Sequence, residues 1–233
     1  MLASGEDAAE LARGADADAI GIAGGDGSLG AVAAVALERD LPFACVPFGT
    51  RNHFARDLGL DRDDPIGALD AFGGDELRID VGRAGDRLFL NNVSFGVYAS
   101  LVHRRERHRR RRDALARFRA LARTLRHPHR SRVRLGGELL TARVVLVANN
   151  EYELTLFELG ARDSLTGGRL HVYSADGLLP RTWDERAGIA FTLEAPERLR
   201  AAVDGEPAGF ESPLEFRIEP RALRVLVPPG REG

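Results

Sequence analysis

The sequence predicts an α/β protein in two parts: an N-terminal parallel α/β domain, then a C-terminal antiparallel β-rich sandwich domain. Three observations predict it. Strand, helix and strand patterns follow one another between Ala17 and Val46, the βαβ order that produces a parallel sheet. From Leu77 onward, short apolar runs alternate with turn residues, as in antiparallel sheets. A chain of 233 residues, 44% apolar and 29% charged, has the length of one large domain or two small ones. We place the first domain at residues 1–76 with a returning segment at 210–230. The second spans residues 77–209 and carries an inserted arginine-rich helix at 101–126.

Taken in order, residues 6–13 read as a helix and Ala17–Ala23 as a short alternating strand that ends at a glycine turn. Ser28 or Leu29 through Glu38 is an Ala/Val/Leu helix, and Leu41–Val46 is the next strand. Asn52–Leu58 is a short helix stopped by Gly59, a residue favoured just past a helix C-cap. In the second domain, Arg78–Arg83, Arg87–Val93, Arg132–Leu135, Arg143–Ala148, Arg169–Tyr173, Ile189–Leu193 and Leu199–Val203 read as strands. Leu101–Leu125 interrupts them with Leu115, Phe118, Ala122 and Leu125 at helical spacing. Leu214–Ile218 and Leu223–Val227 are two further runs, read as the return to the first domain.

Composition excludes several classes. The longest apolar runs, such as Leu29–Leu37, fall short of the roughly 18 residues of a membrane span. Residues 1–12 have neither a basic nor an apolar leader region, so no secretory signal is expected. The single Cys45 sits in an apolar run and reads as a buried, inert thiol in a reducing, cytoplasmic compartment. Every cation is arginine, which excludes a P-loop lysine or a Schiff-base lysine. The net charge of −2 hides an asymmetry: residues 101–134 hold 14 arginines against Glu106 and Asp113. Such a block points to an anionic partner.

Three segments carry chemistry. Gly24-Gly25-Asp26-Gly27-Ser28 follows the first strand and opens a helix, where backbone N–H groups stabilise an anion. The lone carboxylate would repel phosphate unless a metal lay between them, so a Mg-nucleotide site is one reading. A tight strand–helix turn with Ser28 as N-cap is the other. Pro47-Phe48-Gly49-Thr50-Arg51-Asn52 follows the second strand, at the same sheet edge, where ligand sites of parallel sheets lie. Asp204-Gly205-Glu206 places two acids around a glycine, a pattern that also makes a plain hairpin turn.

Together these segments resemble the diacylglycerol kinase catalytic family, which includes sphingosine and ceramide kinases and bacterial lipid kinases. The family order is GGDGT, P-x-GT-x-N-D-F-A-R-x-L-G, an aspartate before an asparagine-rich strand, and a late DGE. Gly24–Ser28, Pro47–Gly59, Asp80 ahead of Phe89–Gly96, and Asp204–Glu206 follow it over about residues 15–228. The resemblance implies an ATP-dependent kinase acting on a lipid hydroxyl at an interdomain cleft. It implies that Gly24, Gly25, Gly27 and Ser28, with Gly49, Thr50 and Asn52, hold the nucleotide. Asp26 and Asp80 would hold Mg²⁺ through water, and Glu206 would be the catalytic base. Such roles suit phosphoryl transfer, which needs positioning and charge neutralisation more than covalent chemistry.

Four departures stand out. Ser28 replaces the family threonine and keeps its hydroxyl. Arg51 and His53 replace a small residue and an acid. The D-D-G-x-L-D pattern, associated with a structural Mg²⁺ in some bacterial members, reads Thr166-Gly167-Gly168-Arg169-Leu170-His171, and no structural metal is expected there. Finally, the family's opening strand and Asn-Pro-x-Ser-Gly loop do not precede Gly24 in this sequence. The first sheet is therefore expected to be truncated at its start, with an open edge that invites a homodimer.

The arginine block of residues 103–126 reads as a solvated helix face or as a helix docking on an anionic membrane surface. Nucleic acid ranks last, because no aromatic residues interleave with the arginines. Trp183 and Phe157 read as core residues or lipid-groove walls, and His127 and His129 have no ligand-spaced partners. Two rivals to the lipid kinase are weighed: an NAD kinase-like enzyme, and a non-catalytic module that binds anionic lipid or a protein partner. The expected location is cytoplasmic, with peripheral contact at the inner face of the membrane.

Overall fold

The computed structural model describes residues 6–48, 52–96, 131–154, 159–162, 164–175 and 183–230. The arginine-rich segment, Gly49, Thr50, Arg51, His127, His129 and Phe157 lie outside them. The first elements are α1 (Ala8–Gly14), β1 (Ile20–Gly24), α2 (Asp26–Glu38), β2 (Phe43–Pro47), α3 (His53–Asp57), a 3₁₀ helix (Gly67–Gly73) and β3 (Asp75–Ala84). Next come β4 (Arg87–Phe89), β5 (Asn92–Gly96), β6 (Ser131–Leu135), β7 (Glu138–Ala142), β8 (Val144–Asn149), β9 (Tyr152–Leu154) and β10 (Leu159–Arg162). The last are β11 (Leu170–Ala175), β12 (Asp184–Gly188), β13 (Ala190–Glu194), β14 (Leu199–Val203), β15 (Glu206–Phe210) and β16 (Leu214–Val227). The chain forms two compact units. One comprises Met1–Val81, Ala161–Gly168 and Glu219–Gly233, and the other Gly82–Gly160 and Arg169–Ile218.

In the first unit, β1, α2 and β2 form the expected parallel βαβ, in register from Ile20↔Phe43 to Gly24↔Pro47. The end of β16 pairs parallel to β2 on its other side, with Val225 opposite Phe43. All five residues of β2 are buried, as befits a central strand covered on both faces. Helix α2 buries Leu29, Val32, Ala33 and Ala36, the i, i+3, i+4, i+7 stripe of a helix on a sheet. It starts at Asp26, earlier than Ser28 or Leu29, because Gly25 takes the N-cap position. Helix α3 ends in a full Schellman motif. Gly59, at φ 62°, donates to Arg56 O at 2.6 Å, and Leu60 donates to Ala55 O at 2.8 Å.

The second unit is a sandwich. One antiparallel sheet runs β12-β11-β8-β5-β14-β15. On the other, β13 lies between the start of β16 and β6, and β6 pairs with β7. The core between them includes Val93, Phe95, Val145, Val147, Leu193 and Phe216. Phe216 meets Phe89 and Phe95 edge-on, with centroids 6.4 and 6.1 Å apart, a favoured aromatic geometry.

Several strand expectations need correction. Leu90 and Asn91 break the run Arg87–Val93 into β4 and β5, and Leu214–Val227 is one strand, with Arg221 at φ 49° where a break was expected. Strands β7, β9, β10, β12 and β15 were not foreseen. Asp184–Gly188 lacks apolar alternation, and Pro207 and Gly209 interrupt Glu206–Phe210. Both are edge strands, where pairing decides and propensity is weak.

Segment 161–168 joins the first unit, although its sequence sits among the β-rich runs. Its anchor is an ion pair with both side chains fully buried: Arg162 Nε lies 2.7 Å from Asp57 Oδ2. Arg56 adds a bond from the surface to Asp57 Oδ1 at 3.1 Å. Replacing Asp57 with Ala removes the counter-charge of a buried guanidinium and should cost about 3–5 kcal/mol of stability. The double replacement Asp57→Leu with Arg162→Met should recover much of it, and urea unfolding of the three proteins checks both. Cys45 is fully buried. Burial, with a smaller contribution from the charge of Asp26, pushes its thiol up to about 12. At pH 8 native protein should resist iodoacetamide, and urea-unfolded protein should react completely, as mass spectrometry would show.

Candidate active site

The two glycine-containing loops meet at the C-terminal ends of β1 and β2. Register sets Gly24 beside Pro47, and Phe48 N–H donates to Gly24 O at 3.1 Å. A Cβ on Gly24 would strike Ser28 Oγ and force that hydroxyl to move. Ser28 is not the N-cap. It sits in the first turn of α2 and donates its hydroxyl back to Gly25 O at 2.9 Å. Asp26 and Gly27 open the helix, where the first backbone N–H groups have no partner within the helix and the potential is positive.

Asp26 ties the loops together. Its Oδ2 accepts the N–H of His53 and its Oδ1 that of Phe54, both at 3.1 Å. Those are the first two amides of α3. Asn52, buried at the N-cap in left-handed conformation (φ 49°, ψ 45°), makes no side-chain cap. The cap comes instead from a carboxylate 27 residues upstream. Each oxygen carries two lone pairs, so accepting one amide leaves capacity for water from a hydrated cation. Asp26 is half-buried.

Asp80 is completely buried. Its Oδ2 accepts Gly168 N–H at 2.7 Å and its Oδ1 accepts Arg221 N–H at 2.8 Å. Its own N–H donates to Leu165 O at 2.9 Å. The residue expected to hold Mg²⁺ thus fastens β3 to two distant segments of the first unit. One of them is the Thr166–Gly168 stretch, where the resembling family carries its metal-associated acids. His171, at the end of that pattern, lies 2.6 Å from Glu185 and stacks beside Tyr173. Burial pushes the Tyr173 phenol up to about 12. Among the described residues, no three His, Cys, Asp or Glu side chains form a metal-binding group. A divalent ion would have to be completed by waters and phosphate oxygens, the usual state of Mg²⁺.

Glu206 belongs to the second unit. It opens β15, paired with Val203 across a two-residue turn. Asp204 and Gly205 both have positive φ, 47° and 85°, the type I′ hairpin that Asp-Gly favours. Asp204 is part of the motif segment but has no role of its own in the sequence reading, yet the residue is only 8% exposed and heavily bonded. Its Oδ2 accepts Leu90 N–H at 2.8 Å, and its Oδ1 accepts Asn91 and Asn92 N–H at 2.8 and 3.0 Å. The donors are backbone amides, which no residue type announces; the break between β4 and β5 leaves them in need of an acceptor. Buried Asn149 supports the same stretch, donating its side chain to Leu90 O at 3.0 Å and its N–H to Asn91 O at 2.9 Å. Partly buried Trp183 packs against the cluster of Leu146, Ala148, Tyr152 and Tyr173.

Replacing Asp26 with Ala strips the cap from α3 and should cost about 0.5–2 kcal/mol. A shift in the urea midpoint without a change in slope is the expected result.

Residues 2–84 match the diacylglycerol kinase catalytic domain. A Klebsiella pneumoniae (strain 342) protein named "Probable lipid kinase YegS-like" is 27% identical, over 88% of this chain and 76% of its own length. A diacylglycerol kinase of Mycobacterium tuberculosis (strain H37Rv) is 33% identical over 75% of this chain. The match spans 57% of that relative's length. The crystal structure of a diacylglycerol kinase from Bacillus anthracis str. Sterne superposes with a TM-score of 0.66 at 19% identity, covering 94% of this chain and 79% of that one. No helix among the described residues is long and apolar enough to cross a membrane. Over residues 2–84 the chain matches the diacylglycerol kinase catalytic domain, and its motif order and its named relatives are similar to that family.

Proposed function

We propose that this protein transfers the γ-phosphate of Mg-ATP to the hydroxyl of a diacylglycerol-like lipid. The observation that carries the reading is the joining of the two family loops by Asp26, whose carboxylate caps α3. One rigid group then combines a glycine-bounded helix N-terminus with a half-buried carboxylate, as a metal-bound polyphosphate requires.

In this reading Gly24, Gly25, Gly27 and Ser28 line the phosphates, and Asn52, with Gly49 and Thr50, continues the nucleotide site. The donor set fits a hydrated Mg²⁺ at Asp26, where each oxygen retains a lone pair. Asp80, buried and bonded to two backbone amides, is expected to contribute by holding the surrounding segments, and any metal contact from it passes through water. Bound Mg²⁺ would neutralise charge on the transferring phosphate. Glu206 takes the proton of the lipid hydroxyl as that oxygen attacks phosphorus. The arginine block of residues 103–126 supplies peripheral attachment to an anionic, inner-membrane surface, each arginine adding about 1 kcal/mol.

The test is transfer of labelled γ-phosphate from ATP to diacylglycerol in mixed micelles. Glu206→Gln should lower kcat about 10²- to 10⁴-fold, the usual share of a general base, with Mg-ATP affinity unchanged. Full turnover by Glu206→Gln would remove that residue from the chemistry. Transfer to NAD in place of lipid would favour the NAD kinase-like alternative. A protein that binds anionic vesicles but neither binds nor uses Mg-ATP would be the non-catalytic module.

A further inference from the structure

The Asp204 carboxylate is surrounded in a way that turn geometry does not explain. A type I′ turn asks for residues that tolerate positive φ, and Asn-Gly or Gly-Gly would serve. Neither needs a negative charge. The three successive N–H groups of Leu90, Asn91 and Asn92 favour one, since consecutive amides converging on one group form an anion-binding nest. Here the anion is part of the chain: all three donate to Asp204, at 2.8, 2.8 and 3.0 Å. The link is doubled by Asp204 N–H donating to Asn92 O at 2.9 Å.

The far side of that stretch is fixed as well. Asn149, 1% exposed at the end of β8, holds Leu90 O with its side chain and Asn91 O with its N–H. The order is thus β8, then the 90–92 stretch, then Asp204, and two residues later Glu206. Three of the roughly four lone-pair sites of the Asp204 carboxylate are taken by amides, and the group is nearly buried. It is badly placed to bind substrate or metal itself, and well placed to fix the hairpin that starts β15.

We propose that Asp204 is a positioning residue, whose carboxylate fills the nest of Leu90, Asn91 and Asn92 and thereby sets where Glu206 stands. The proposal rests on the reading of Glu206 as the base, and it adds to that reading a residue that touches no reactant. A base must stand within hydrogen-bond reach of the proton it takes, and a misplacement of about 1 Å can cost about 100-fold in rate.

The test compares wild type, Asp204→Asn and Glu206→Gln. Asparagine keeps the volume and the tolerance for positive φ, but its NH₂ group must face at least one of the three donors. Hydrogen exchange reads the tether without any activity. The amides of Leu90, Asn91 and Asn92 should exchange at least about tenfold faster in Asp204→Asn and unchanged in Glu206→Gln, a loss of about one hydrogen bond's worth of protection. In lipid phosphorylation, Asp204→Asn should lose at least about tenfold in kcat with KM for Mg-ATP unchanged. Asp204→Glu, which keeps the charge but lengthens the reach, should remain impaired. Unchanged exchange at residues 90–92 would overturn the tether. Faster exchange with full kcat would overturn the positioning role, and so would a raised KM at constant kcat, which would make Asp204 a ligand. An inactive wild type whose Asp204→Asn variant still loses protection would overturn the kinase reading while upholding the tether. Should Asp204→Asn fail to fold, Asn149→Ala provides the second variant. It loosens the 90–92 stretch from the other side and should lower kcat in the same way.

Discussion

The motif loops depend on one kind of bond: an aspartate carboxylate accepting backbone N–H groups from a segment remote in sequence. Asp26 takes two from α3, Asp80 takes two from the turns at Gly168 and Arg221, and Asp204 takes three from residues 90–92. Each receiving segment would otherwise present amides with no acceptor. Helix α3 begins at a left-handed Asn52 that makes no side-chain cap, and the link between β4 and β5 is too short to turn its amides back on itself. Hydrogen bonds to charged groups contribute about 1.5–3 kcal/mol each, against about 1 for neutral ones. A handful of carboxylates can thus fix loops that propensity and apolar burial leave undetermined.

Aspartate suits this task better than glutamate because its carboxylate is held close to the backbone. With one methylene, the group cannot swing far from the strand or helix start that carries it, so an acceptor on one segment becomes a geometric constraint on another. The effect is clearest at Asp26. As the first residue of α2 it is fixed by the helix, and through it α3 takes its place beside the glycine loop. The buried Asp57–Arg162 pair secures the other end of α3 in a different way. There both charges are out of water, so the pair resists loss of either partner more than it adds net stability.

Much of this was legible in the sequence, and the limits have physical reasons. The βαβ of β1, α2 and β2 is visible because a buried central strand and a helix stripe leave distinct apolar periods. Gly59 announces its own helix end. The hairpin at Asp204-Gly205 is equally open to reading, since Asp-Gly between apolar runs is a strong turn signal. What sequence cannot carry is the pairing between an acceptor and donors far along the chain. Every non-proline residue has an N–H, so nothing in the letters at 53, 54, 90, 91 or 92 says that an aspartate elsewhere will claim it. For the same reason β12 and β15 were missed: edge strands borrow their conformation from a neighbour. The inclusion of residues 161–168 in the first unit was hidden too, because it rests on the buried Arg162 and on backbone bonds to Asp80, partners far along the chain.

That blindness also explains which departures from the family pattern are harmless. An acid is the residue of the resembling family at position 53 and this chain has His53, a change that reverses the potential charge beside the glycine loop. Yet the contact that Asp26 makes at this position is to the backbone N–H, which histidine supplies as well as aspartate does. Only proline would remove it. At position 28 the hydroxyl is used to close the first turn onto Gly25 O, and serine and threonine offer the same donor. The framework of the loops is therefore indifferent to both substitutions. His53 also differs in charge: a group that can carry positive charge stands where the resembling family places a negative one. Near a bound polyphosphate such a change favours the anion, so the described backbone contacts of Asp26 tolerate His53 while the local field differs from that of the family pattern.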